Sequence, residues 1–272
     1  MKTRVLFGVI GFAFVLLALY VFPPVVLEIV LAALCVLATY EVLSSTKLVH
    51  NRLELGLCLL VSLLLAAGHS PLVPFELTAV TQGLVLLLLV GSFAILLRFH
   101  DSMNAAQVSW AFFGALIVPY LMLSLLRIFQ MEYHHGPFIV LLPLLAAWGS
   151  DTCALFAGMF FGKHKLAPVV SPKKTVEGAV GGVIGGAVLV MLAALLMNVF
   201  LDLELPIWAA ALLGGGGAVL GAVGDLSFSV IKRQTGIKDY GSIFPGHGGV
   251  LDRFDSVLFV APMAEILFRL IW

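Results

Sequence analysis

The sequence predicts an all-α, polytopic integral membrane protein with about nine transmembrane helices and a cytoplasmic N-terminus. Three observations lead there. Of the 272 residues, 61% are hydrophobic and only 11% are charged, against roughly 25% charged in an ordinary soluble domain. So few charges cannot cover the surface of a water-soluble fold of this size. The apolar residues also fall in continuous runs close to the roughly 20 residues that a spanning helix requires. They lack the alternation of a membrane β-barrel, and backbone groups in lipid must pair within their own segment, which leaves helices. Finally, the basic residues gather on one side of the topology that these runs define.

The runs, in order, are 5–22, 25–43, 53–67, 82–97, 111–129, 138–158, 179–200, 207–230 and 257–272. The first has an apolar core too long for a signal peptide and no small-x-small cleavage site after it, so it is expected to stay as a helix. With the N-terminus in the cytoplasm, the clusters Lys2/Arg4, Lys47/Arg52, Lys163/Lys165, Lys173/Lys174 and Lys232/Arg233 all fall on the cytoplasmic side, as do Arg98, Lys238 and Arg253. The opposite loops hold no Lys or Arg, but Glu76, Glu132, Asp202 and Glu204. Arg127 and Arg269 lie near outer helix ends and are expected to snorkel to water. The chain then divides into N-terminal helices, 1–130, with about five spans, and a C-terminal catalytic region, 131–272, with about four spans and the charged loops.

Glycines crowd the seventh and eighth runs, "EGAVGGVIGGAVL" and "LLGGGGAVLGAVGD". Neither is a phosphate loop, because no GKS or GKT follows and no strand precedes. Spacings such as Gly181–Gly185 and Gly217–Gly221 predict close helix packing, with room for an acyl chain as the alternative. Cys35, Cys58 and Cys153 sit in apolar runs without metal-ligand spacing and read as small hydrophobes. The formal net charge is zero, so no basic field calls for nucleic acid as a partner.

The chemistry concentrates in two cytoplasmic segments, "WGSDTCALFAGMFFGKHKLAPVVSPKKTVEG" and "GDLSFSVIKRQTGIKDYGSIFPGHGGVLDRFD". Asp151 and Asp225 each follow a long apolar run, where a carboxylate is costly and its default reading is functional. Ser229 and Lys232 follow Asp225 at one-face helical spacing. Asp252 and Asp255, three apart, are expected to share a helix face. Two carboxylates so placed repel unless a divalent ion or a bound proton intervenes. Oxygen ligands without thiolates or paired histidines suit magnesium, which usually bridges to substrate phosphates; the plainer alternative is a solvated helix N-terminus. The "PGHGG" turn, with His247, Gly248 and Gly249, offers backbone N–H groups to an anion. Lys232, Arg233 and Lys238 add the charge that phosphates need. Ser171, Lys173 and Lys174, ahead of a helix expected to begin near Thr175, repeat this logic, with positive-inside anchoring as the alternative. The residues describe a membrane-embedded site on the cytoplasmic face, with carboxylates for a metal and cations for phosphates.

The second segment resembles the signature of the phosphatidate cytidylyltransferases, the CDP-diacylglycerol synthases. The residues that carry the likeness are Ser229, Lys232, Arg233, Lys238, Asp239, Gly241, Pro245, His247, Gly248, Gly249, Asp252, Arg253 and Asp255. The first segment resembles the family's other charged stretch, and the N-terminal half is similar only in hydropathy and at Glu41. Two positions depart from the pattern. Phe228 stands in "GDLSFS" where the family commonly has an acid, and Leu155 or Phe156 stands where it often has a tyrosine.

The resemblance implies that CTP and phosphatidate react to CDP-diacylglycerol and pyrophosphate. It implies magnesium held by Asp225, Asp252 and Asp255, and leaves open a second, monovalent ion. Lys232 and Arg233 join the carboxylates in catalysis. Ser229, Lys238, His247, Gly248 and Gly249 contact substrate, and Ser171, Lys173 and Lys174 serve the nucleotide. Asp239 belongs to the same substrate-binding set without an assigned role. The implied setting is the lipid bilayer, the inner membrane if the source is bacterial, with the site facing the cytoplasm and a homodimer as the assembly. A carrier for anionic lipids or nucleotides is the rival from another class, but it would show polar residues reaching both faces. An enzyme for a different lipid phosphate is not separated by these residues, and a purely structural subunit has no need of Asp225.

Overall fold

The computed structural model describes residues 15–131, 135–243 and 248–272. The described chain is helical except for one small hairpin, as the unbroken apolar runs require. Most of the first expected span lies outside the described residues; its positions 15–20 are helical. Helix α1 spans Pro24–Ser45 and ends in a π-helical turn, Glu41–Ser45. Proline suits its first position, where the missing N–H would have no helical acceptor. Helix α2, Arg52–Ala67, is capped by Asn51, whose Oδ1 accepts from Leu53 N at 2.9 Å and Glu54 N at 3.4 Å. Next come α3, Leu77–Arg98, α4, Ala105–Met131, and α5, Gly136–Phe161. Helix α6, Val176–Leu201, leads through a tight turn to α7, Ile207–Gln234. The Asn198 side chain holds that turn by bonding both N–H and C=O of Leu205, at 2.9 and 2.8 Å. A short α8, Leu251–Phe254, and α9, Val257–Ile271, complete the order.

Among the described residues, six helices, α1 and α3 to α7, are long and apolar enough to cross a membrane. Helices α2 and α9, at the third and ninth expected spans, have 16 and 15 residues. The hairpin differs from the sequence reading, which found no strands. Strand β1, Lys165–Ala167, pairs antiparallel with β2, Ser171–Thr175. Such short, lysine-rich strands carry no apolar alternation to reveal them. Helix α6 does begin where expected: Thr175 is its N-cap, and its Oγ1 accepts from Gly178 N at 3.1 Å.

The chain forms two compact units. The first comprises Met1–Leu126 and Gln234–Arg253, the second Arg127–Arg233 and Phe254–Trp272. Within the first, Thr39 of α1 donates to the Gly114 carbonyl at 2.8 Å and lies 3.0 Å from the Ser62 hydroxyl. Glu54 of α2, fully buried, accepts from Ser92 of α3 at 2.6 Å, while its Oε2 meets no partner. Removing one side of a buried polar pair costs more than removing both. Ser92→Ala alone is therefore expected to destabilise the protein by about 1–3 kcal/mol, read as a lower melting temperature in detergent. Ser92→Ala combined with Glu54→Leu should melt close to wild type; a double variant weaker than the single would overturn this account.

In the second unit, glycines let helices touch backbone to backbone, as the small-residue spacing predicts. A side chain at Gly181 would run into Ala157 of α5. At Gly224 of α7 it would fall 2.5 Å from the Asp255 carbonyl. Arg127 does not behave as the sequence suggested. Arg127 is 8% exposed, and its Nε donates to both carboxylate oxygens of Glu265 on α9, at 2.9 and 2.8 Å. Arg269, one turn further along α9, donates to Glu265 Oε1 from Nε and Nη2, each at 3.1 Å. A carboxylate within reach satisfies the guanidinium better than a stretch to the interface.

Candidate active site

The second unit gathers three of the acids singled out from sequence. Close approach of α7 at Gly224 sets Asp225 beside the chain at Asp255, just before α9. Ser229, one turn along α7, donates to Asp225 Oδ1 at 3.3 Å. Lys174, at the end of β2, places Nζ 2.5 Å from Asp225 Oδ2. Asp255 is 6% exposed and its Oδ1 accepts from Ser256 N at 2.8 Å. The Ser256 hydroxyl lies 3.2 Å from Asp151 Oδ2 and 3.4 Å from Asp255 Oδ1, linking α5 to this cluster. Burial, and then the neighbouring charge of Asp225, hold the Asp255 carboxyl well above the usual carboxylate range; Asp151 adds to the rise, while Ser256 N–H and Lys232 oppose it. Lys232, one turn beyond Phe228 on α7, is itself buried at 8% exposure, whereas Arg233 is exposed.

The base of the hairpin is fixed by Glu177. Its carboxylate accepts from the backbone N–H of Lys163 at 3.0 Å and pairs with His164 Nδ1 at 2.6 Å. Lys173 is exposed on β2 and Ser171 half-buried. Lys173 and Lys174 thus part ways: one faces outward and the other meets a carboxylate, a difference that adjacent lysines conceal in sequence.

Asp252 belongs to the first unit. The expected sharing of a helix face with Asp255 does not occur, because α8 ends at Phe254 and Asp255 lies beyond it. Asp252 instead ties down the loop before it. Its Oδ2 accepts from Tyr240 N at 2.7 Å and Gly249 N at 3.0 Å. Tyr240 is fully buried, and Gly248 takes a left-handed φ of 85° that favours glycine. Lys238 and Asp239 are exposed on the stretch leading to Tyr240. His247 lies outside the described residues. Two contributors had weak signals in sequence. Ser256 follows Asp255 directly in "DRFDS", and Glu41 is an acid in an apolar run; no local pattern joins either one to its partners.

No three His, Cys, Asp or Glu side chains among the described residues converge tightly enough to cage a metal by themselves. Magnesium is usually held by one or two carboxylates with waters and substrate phosphates. Asp225 and Asp255, hard oxygen donors whose charges oppose each other, fit such an ion.

Together these features define a polytopic membrane protein whose second unit gathers Asp151, Asp225 and Asp255 near the buried Lys232. The chain belongs to the cytidylyltransferase family, whose profile matches residues 2–271. Its relatives include the phosphatidate cytidylyltransferase of Bacillus subtilis, 32% identical over 99% of this chain and 98% of that one. The enzyme of that name from Haemophilus influenzae is 32% identical over 96% of both chains. The one from Staphylococcus saprophyticus is 38% identical over 66% of this chain and 67% of its own. The chain is thus a nucleotidyltransferase by family.

Proposed function

We propose that this protein is a phosphatidate cytidylyltransferase, converting CTP and phosphatidate to CDP-diacylglycerol and pyrophosphate in membrane phospholipid synthesis. The observation that carries the reading is the match to phosphatidate cytidylyltransferases along nearly the whole chain. In this reaction an oxygen of the phosphatidate phosphate attacks the α-phosphorus of CTP. The new P–O bond forms as the bond to the bridging oxygen breaks, and pyrophosphate leaves with that oxygen. The nucleophile is already anionic, so no strong general base is required. The protein's work is to hold two anions together and offset charge on the leaving group.

The buried Lys232 and neighbouring Arg233 supply cations for the phosphates. Ser229 and Lys174 orient the Asp225 carboxylate. Ser171 and Lys173 face the nucleotide, and Lys238, His247, Gly248 and Gly249 complete the phosphate contacts. Magnesium is the proposed metal, with Asp225 and Asp255 as ligands and Asp252 as a third on the strength of the signature; when bound, it offsets phosphate charge as pyrophosphate departs. The bias of basic residues supports a cytoplasmic N-terminus and a cytoplasm-facing site, in the inner (cytoplasmic) membrane if the source is bacterial.

The test is transfer of label from CTP into an organic-extractable product by purified protein in detergent. Product is expected only with phosphatidate present, and chelation of divalent ions should abolish it. A folded protein with no product in several detergents would overturn the reading. Product that persists in excess chelator would remove the metal and keep the reaction.

A further inference from the structure

We infer that Glu41 is a positioning residue, a buried carboxylate clamp that sets the 248–252 loop and through it Asp252. The inference rests on the proposed reaction for its link to activity, and on geometry for the clamp itself.

Glu41 stands in the π-helical turn that ends α1 and is 2% exposed. Wide turns of this kind push a side chain out of the regular helical row and recur at functional sites. Its two oxygens take separate partners: Oε1 accepts from Val250 N at 3.0 Å and Oε2 from Leu251 N at 2.8 Å. A residue 209 positions away in sequence thus binds successive amides at the start of α8. Two glycines on this loop owe their size to it. A Cβ at Gly241 or at Gly249 would run into the Glu41 carboxylate.

Asp252 works on the same stretch from the other end, accepting from Tyr240 and Gly249. Together the two carboxylates bind the N–H groups of residues 240, 249, 250 and 251. N–H groups that point at carboxylates are fixed in direction. Left-handed Gly248, adjacent to the bonded amide of Gly249, is set before any substrate arrives. A carboxylate accepts at both oxygens, whereas an amide would offer an NH2 to one backbone donor. Aspartate keeps both acceptors but is one methylene shorter.

The experiment compares wild type, Glu41→Gln and Glu41→Asp by hydrogen exchange over residues 248–254 and by steady-state kinetics. Glu41→Gln is expected to raise exchange at least tenfold in that segment, with protection elsewhere unchanged. Its kcat should fall about 10- to 100-fold, the scale set by a small misplacement of reacting groups. KM for phosphatidate should rise as well, since Gly248 and Gly249 on the same loop are proposed phosphate contacts. Glu41→Asp should lie between the two.

Unchanged exchange at 248–254 in Glu41→Gln would overturn the clamp. Exchange that rises evenly along the chain, with activity falling in proportion to folded protein, would reduce Glu41 to general stability and overturn it too. Local exchange as expected but kcat within twofold of wild type would overturn the link to Asp252. If wild type itself transfers no label while the exchange result holds, the activity reading falls and the clamp stands.

Discussion

Asp225→Asn is expected to lower kcat for cytidylyl transfer by about 10²- to 10³-fold, the usual cost of losing one preorganised charge at a reacting centre. The substitution keeps the shape, and the new amide oxygen can still accept from Ser229, now 3.3 Å from Oδ1. What it removes is the charge. That charge has two candidate uses: pairing with Lys174, whose Nζ sits 2.5 Å away, or serving substrate and metal. Lys174→Met separates them. If pairing were the whole role, Lys174→Met would cost as much as Asp225→Asn. We expect Lys174→Met to cost at least tenfold less in kcat, because Asp225 keeps its carboxylate and its place beside Asp255. The magnesium concentration for half-maximal rate should rise in Asp225→Asn and hold in Lys174→Met. An asparagine variant keeping a tenth or more of wild-type kcat would remove Asp225 from the centre of the mechanism.

The helices were legible because lipid imposes their length. A run such as 179–200 has one solution, and α6 occupies it with a few residues to spare at the Thr175 cap. The charged residues were legible for a related reason: Asp225 in an apolar run demands a use. What the sequence could not convey is which carboxylate meets which partner. Asp252 and Asp255 look alike at a spacing of three. Yet the first binds the N–H groups of its own loop and the second lies among Asp225, Asp151 and Ser256, because α8 stops between them. Glu41 was visible as an odd acid in an apolar run, but its bonds to Val250 and Leu251 depend on a wide helical turn and a long-range approach. Neither leaves a periodic trace. The hairpin stayed hidden because "SPKKT" reads as a lysine-rich loop, and only pairing with Lys165–Ala167 makes it a strand.

Arg127→Met is expected to destabilise the protein by about 3–5 kcal/mol, the cost of breaking a buried ion pair from one side. The side chains of Arg127 and Glu265 are 8% and 11% exposed, so neither can turn to bulk water for compensation. Arg269, with its side chain 58% exposed and bonded to Oε1 alone, cannot replace a donor placed at both oxygens of Glu265. Glu265→Leu should be equally damaging, for it leaves the Arg127 guanidinium buried without its carboxylate. The two losses are not independent, because each single change strands the partner of the other. Arg127→Met with Glu265→Leu fills similar volume with apolar side chains and should melt well above either single variant, close to wild type. Cytidylyl transfer measured below the melting range should be near normal in the double variant, since none of these residues belongs to the proposed site. Single variants that melt within a degree or two of wild type would show the network to be a bystander. A double variant as unstable as the singles would show instead that the charges themselves, and not their mutual satisfaction, hold α9 in place.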